Sequence, residues 1–361
     1  MAYADVVAAA GRIGAYVLRT PVLEVAPGLV LKLELLQHSG SFKVRGAFNR
    51  MLAADGIPAA GVIAASGGNH GLAVAYAARA LGARAEIFVP EVTSPVKLAG
   101  LRALGARINQ VGAVYAEAAE AAVKRAAETG ALPVHAYDQA EVVAGQGTTG
   151  LELMAQTGGV DTILVAVGGG GFAAGVALGA GSVASPSGSG VEAAGRSGSL
   201  SGSGAEAAGR SGSLSDSGAE AAGRSGSPAG SGAVSECGGG GPRIVAVEPE
   251  RIPTFHEARK AGRPVAVEVG GVAADSLGAT ALGELAHGIL AAAGADSVLV
   301  TEEAIVAARR ALWDRHRLVA EHGGATAYAA LLSGAYTPAP GERVAVLVCG
   351  SNTDPATLAP E

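Results

Sequence analysis

The sequence predicts an α/β protein of two domains, each an open, mostly parallel twisted sheet flanked by helices. Three observations predict it. The 361 residues exceed the roughly 100 to 200 usual for one domain. Hydrophobic residues make up 49% of the chain and charged residues 16%, a composition with a large interior that excludes a disordered or fibrous chain. Short β-branched runs alternate with alanine-rich runs, and strands alternating with helices imply right-handed crossovers between parallel strands covered on both faces.

The elements follow in order. Gly61 to Ala65 reads as a strand, Leu72 to Leu81 as a helix, Ala85 to Val89 as a strand and Val96 to Leu104 as a helix. Helices are expected over 114 to 128 and 145 to 155, then a strand Thr162 to Val167 and a helix from Phe172. A strand Arg243 to Glu248, a helix 302 to 319 and a strand Val344 to Val348 complete the pattern. The last is apolar throughout, as expected of a strand buried on both sides.

Residues 187 to 228 break it. They are three near-copies of a 14-residue unit beginning at Ser187, Ser201 and Ser215. Each unit offers one Leu or Pro and otherwise Ser, Gly, Ala, Glu, Asp, Val and Arg, too little to bury a face against a neighbour. The stretch from about Val183 to Gly241 is therefore expected to be a disordered surface insertion.

Charge and cysteine usage narrow the function classes. A net charge of −6 and the lack of any long Lys/Arg run argue against nucleic acid as a partner. The two cysteines, Cys237 in the low-complexity stretch and Cys349 in an apolar run, do not suggest a disulfide framework, and a reducing cytoplasm fits best. Met1 to Ala10 lacks a basic stretch followed by a long apolar block, and no apolar run approaches membrane-spanning length, so no membrane association is expected.

Three segments carry chemistry. Gly168, Gly169, Gly170 and Gly171 follow one strand and open a helix, where glycines admit a close anion and the free N–H groups and helix dipole favour a phosphate. A tight strand-to-helix turn could also select glycine there. The run fits no G-x-G-x-x-G register and the chain has no G-x-x-x-x-G-K-[ST], which favours a small phosphate ester over a nucleotide. Ser66-Gly67-Gly68-Asn69-His70-Gly71 also joins a strand to a helix; its hydroxyl and N–H groups suit a carboxylate, and the Asn69 amide a further ligand group, although a plain helix cap has the same look. Lys43, in Gly40-Ser41-Phe42-Lys43-Val44-Arg45-Gly46-Ala47-Phe48, is the candidate amine for an aldehyde cofactor. The two glycine-rich segments lie where a strand ends and a helix begins, the rim at which ligands bind in open parallel sheets.

With these segments in view, the chain resembles the fold-type II, or tryptophan-synthase β, pyridoxal-phosphate enzymes, and among them the serine/threonine dehydratases. The resemblance runs through Arg19-Thr20-Pro21, Lys32-Leu33-Glu34, Gly40 to Ala47, Ser66 to Gly71, Gly145-Gln146-Gly147-Thr148, Gly168 to Gly171, Val247-Glu248-Pro249 and Cys349-Gly350-Ser351-Asn352. It covers nearly everything but the repeats.

The resemblance implies pyridoxal 5'-phosphate held by Lys43 as an internal Schiff base, with Phe42 packed beside it. It further implies Asn69 on the ring hydroxyl, Gly168 to Gly171 on the phosphate and Cys349 beside the pyridine nitrogen. Ser66, Gly67, Gly68, Asn69 and His70 would bind the amino-acid substrate. A smaller domain over 49 to 144, inserted into a larger one of 1 to 48 and 145 to 361, and a homodimer or higher homo-oligomer are likewise implied. About 300 residues remain once the repeats are set aside, the size of the family's catalytic core, so no separate regulatory domain is expected.

The implied reaction is β-elimination from L-serine or L-threonine, giving a 2-oxo acid and ammonia. Racemase-like relatives resemble this chain in Ser-Ser-Gly-Asn-His, whose second serine is the opposite-face acid/base; here Gly67 stands in that place. Those relatives also carry an acidic cluster after Glu-Pro, where this chain has Glu250-Arg251-Ile252-Pro253-Thr254, so no metal is expected. Glu321, followed by Gly323-Gly324-Ala325, resembles a family segment near the cofactor. The rival readings are a racemase or β-replacement enzyme of the same fold, and a cofactor-binding protein without turnover.

Overall fold

The computed structural model describes residues 1–183 and 240–358. The 14-residue repeats, Cys237 and the expected disorder around them lie outside the described residues. The strands in chain order are β1 (Val22–Ala26), β2 (Leu29–Lys32), β3 (Val62–Ala65), β4 (Ala85–Val89), β5 (Arg107–Gln110), β6 (Leu132–Pro133), β7 (Thr162–Ala166), β8 (Arg243–Pro249), β9 (Asp296–Val300) and β10 (Val344–Leu347). The helices are α1 (Tyr3–Ile13), α2 (Lys43–Leu52), α3 (Asn69–Ala80), α4 (Pro95–Ala103), α5 (Tyr115–Thr129), α6 (Ala140–Thr157), α7 (Gly171–Gly179), α8 (Thr254–Ala261), α9 (Ala274–Leu277), α10 (Glu284–Ala292), α11 (Glu302–His316) and α12 (His322–Leu332).

Two sheets result. The larger has the order β1-β2-β10-β7-β8-β9, parallel except for the antiparallel edge strand β1. The smaller, β5-β4-β3-β6, is parallel throughout. In the larger sheet Val346 pairs with Leu31 on one side and Leu164 on the other, and all of β10 is buried, as its uninterrupted apolar run predicts.

Glycine sets how closely the covering helices approach. A Cβ on Gly147 of α6 would lie 2.7 Å from the Gly175 carbonyl of α7, so the Gly145 to Thr148 segment serves helix packing.

Several expected boundaries move, the helix expected from Leu72 beginning at Asn69 among them. The helix expected from 145 begins at Ala140, because Asn49 and Arg50 of α2 hold Glu141 in its first turn. The helix expected over 302 to 319 stops at His316. Arg317 turns left-handed with φ 58°, and Leu318 N–H closes back on Leu312 O. Both β3 and β7 end in glycine-rich turns that start a helix, the local geometry expected of a ligand rim.

Candidate active site

Lys43 reaches the site through a short strand-like pairing. Ser41 bridges Gly350, and Phe42 N–H donates to the Cys349 carbonyl at 3.3 Å, which brings the first residue of α2 beside the exit of β10. Lys43 Nζ donates to the Ala136 carbonyl at 2.7 Å and stands 5.2 Å from the centroid of the Phe42 ring. Burial lowers its pKa to about 8, so a useful fraction of the amine is uncharged near neutrality. Phe42 stacks on Phe172 of α7 with ring centroids 3.9 Å apart.

Behind Lys43, α2 is fastened by buried charge. Arg45 Nη2 lies 2.7 Å from Glu34 Oε1, Arg45 Nη1 lies 2.7 Å from Glu152 Oε1, and Lys32 Nζ lies 2.8 Å from Glu152 Oε2. Two cations and two carboxylates give no net charge. Lys32 also donates to Thr20 O and Gln156, and Arg45 to Thr148 and Leu18 O, so the desolvated donors find partners.

The turn after β7 has the form of an anion cradle. Among the described residues nothing accepts from the N–H groups of Gly168, Gly169 or Gly170. Gly170, with φ +81°, turns the chain into α7, whose first N–H groups have no intrahelical partner. A Cβ on Gly169 would overlap the ring of Tyr137, and one on Gly168 would lie 2.5 Å from the Leu277 carbonyl.

The turn after β3 is similar. Ser66 Oγ accepts from Gly68 N–H at 3.2 Å, and Gly67 N–H has no acceptor among the described residues. His70 Nε2 faces the Val134 carbonyl at 2.9 Å and therefore carries the proton; burial lowers its pKa to about 3, so the ring is neutral and tied to the fold. Asn69 Nδ2 donates to Glu321 Oε1 at 2.5 Å, while Asn352 Nδ2 donates to Asn69 Oδ1 at 2.7 Å.

Glu321 precedes α12 and is buried, which raises its pKa to about 7 against the pull of the Asn69 hydrogen bond. A Cβ on Gly350 would overlap its carboxylate, so the Cys349-Gly350 step needs glycine for this approach. Burial raises the pKa of the Cys349 thiol far above neutrality and keeps it protonated, 3.6 Å from the Gly323 carbonyl.

Phe42, Lys43, the Ser66 to His70 turn, Gly168 to Gly171 and Cys349 all line one cleft of about 650 Å³. Sequence reasoning did not single out Tyr137, which covers Gly169, or Thr254, which reaches Gly168 from behind. Neither belongs to a local motif. The residues present fit pyridoxal phosphate: a buried amine stands with unbonded N–H groups and glycines whose missing side chains leave room for a phosphate.

Comparison with known proteins agrees. The profile of the pyridoxal-phosphate dependent enzyme family matches residues 14–212 and 219–350. The chain is 33% identical over 357 residues to phenylserine dehydratase of Ralstonia pickettii, covering 96% of this chain and 92% of the relative. It is 34% identical over 331 residues to L-threonine ammonia-lyase of Geobacter sulfurreducens, covering 91% and 68%. Its fold is similar to that of maize serine racemase, with TM-score 0.78, 26% identity and coverage of 99% and 95%. No helix among the described residues is long and apolar enough to cross a membrane.

Proposed function

The chain belongs to the pyridoxal-phosphate dependent enzyme family, and from that premise we propose that it is an L-threonine/L-serine ammonia-lyase. Its cofactor is pyridoxal 5'-phosphate. Lys43, Phe42, Asn69, Gly168 to Gly171 and Cys349 would hold it, in a cleft between a smaller domain over 49 to 144 and the rest. The proposed setting is a cytoplasmic homodimer or higher homo-oligomer.

When bound, the cofactor supplies an aldehyde for the substrate amine and an electron sink for the bond broken at Cα. Lys43, with its pKa lowered to about 8, takes the Cα proton. Gly67 N–H and the start of α3 bind the substrate carboxylate. Gly67 offers no side chain to return a proton on the other face, which favours elimination over racemisation. The neutral Cys349 thiol supplies no charge to keep a pyridine nitrogen protonated, which further favours elimination over transamination. The β-hydroxyl leaves as water, the proton it gains balancing the one taken from Cα, and one water is then consumed in the hydrolysis that yields 2-oxobutyrate from threonine, or pyruvate from serine, and ammonia.

The observation that carries this reading is the buried Lys43 amine in the same cleft as the glycine cradle. Likeness to a serine racemase supports a second reading, racemisation of serine. Incubation with L-serine separates them: pyruvate supports the lyase, and D-serine without pyruvate supports the racemase.

A further inference from the structure

Thr254 opens α8, is fully buried and lies outside the cleft lining. Its Oγ1 stands 2.5 Å from the Gly168 carbonyl and 3.0 Å from Glu248 Oε1. A hydroxyl has one proton to give. If that proton goes to Gly168 O, the contact with Glu248 closes only when the carboxyl is protonated and donates to Oγ1. Glu248 is buried at the end of β8, accepting from Phe255 N–H at 2.7 Å and His256 N–H at 2.9 Å. Its burial raises the pKa to about 7, so the protonated form is accessible near neutrality.

The consequence passes through the peptide plane. In a trans peptide the carbonyl and the following N–H point in opposite directions. A Gly168 carbonyl held by Thr254 therefore sends the Gly169 N–H the other way. The next peptide is held likewise, since Gly283 N–H donates to Gly169 O at 3.1 Å. Two successive carbonyls are thus tied back, and the N–H groups of Gly169 and Gly170 on the same peptides have no acceptor among the described residues.

We propose that Thr254 is a positioning residue for phosphate binding: braced by Glu248, its hydroxyl locks the Gly168 carbonyl and aims the Gly169 N–H at the cofactor phosphate. This rests on the reading of Gly168 to Gly171 as the phosphate cradle. Thr254 acts from behind the loop without touching the ligand.

The test is a titration of apo-protein with pyridoxal 5'-phosphate and, separately, with pyridoxal, which lacks the phosphate. Thr254→Val should weaken pyridoxal phosphate binding about tenfold, the effect of one lost hydrogen bond, and leave pyridoxal binding unchanged. Thr254→Ser, which keeps the hydroxyl, should restore wild-type affinity. Thr254→Ala provides a second variant should the valine protein fail to fold. It also lacks the hydroxyl, so pyridoxal phosphate affinity should again fall about tenfold while pyridoxal affinity stays unchanged. Equal loss for both ligands, or no loss for either, in the variant without the hydroxyl overturns the proposal. A wild-type protein that binds pyridoxal as tightly as its phosphate ester overturns the cradle itself, and the role of Thr254 with it.

Discussion

Asn69 Nδ2 donates to Glu321 Oε1 at 2.5 Å, tying the first residue of α3, beside the smaller sheet, to the cap of α12, on the larger. The two residues are distant in sequence, so this tie is a tertiary contact. Asn352 fixes the amide orientation from the other side. A double-mutant cycle of Asn69→Ala and Glu321→Ala, followed by urea unfolding, should give a coupling of about 0.5 to 3 kcal/mol, as expected for residues in contact.

Glu321 also makes stability depend on pH. Its folded pKa of about 7 lies above the ordinary 4.5, so its favourable contribution is full below about 4.5 and is lost as pH rises through about 7. Glu321→Gln is neutral throughout. Relative to wild type, the apo form of this variant should gain on the order of 3 kcal/mol between pH 4.5 and a pH above 7, read from urea midpoints.

The buried pairs of Arg45 should dominate those of the surface. Arg45→Met leaves Lys32 alone to balance Glu34 and Glu152, one cation for two carboxylates, and should cost about 3 to 5 kcal/mol. Arg50→Ala, whose pair with Glu141 is partly exposed, should cost about 1 kcal/mol or less. Equilibrium denaturation of both variants checks the contrast.

Gly169→Ala should displace the Tyr137 ring, at a cost of about 1 to 3 kcal/mol in stability. In a Tyr137→Ala background, where the ring is gone, the same substitution should cost little. Thermal unfolding of the single and double variants measures it.

The fold was legible where the physics is local. Val344 to Leu347 is apolar at every position, and the glycines after β7 announce a turn whatever surrounds them. The edge strands were not: β5, Arg107 to Gln110, is polar and partly exposed, so its pattern matches a loop as well as a strand. The helix α12 has two glycines in its first turn and did not stand out as a helix, since its helicity comes from burial against the larger sheet. In the site, Lys43 and the two glycine-rich turns stood out as motifs. Tyr137 over Gly169 and Thr254 behind Gly168 are tertiary contacts between distant segments, and no run of neighbouring residues encodes them.

The central claim is that Lys43 drives β-elimination in this cleft. The most direct measurement is release of 2-oxobutyrate from L-threonine and pyruvate from L-serine by wild type and Lys43→Ala, each supplied with pyridoxal 5'-phosphate. Keto acid from wild type with at least one substrate, and none from the variant, is the predicted result; undiminished keto acid from Lys43→Ala, or none from wild type with either substrate, would contradict it.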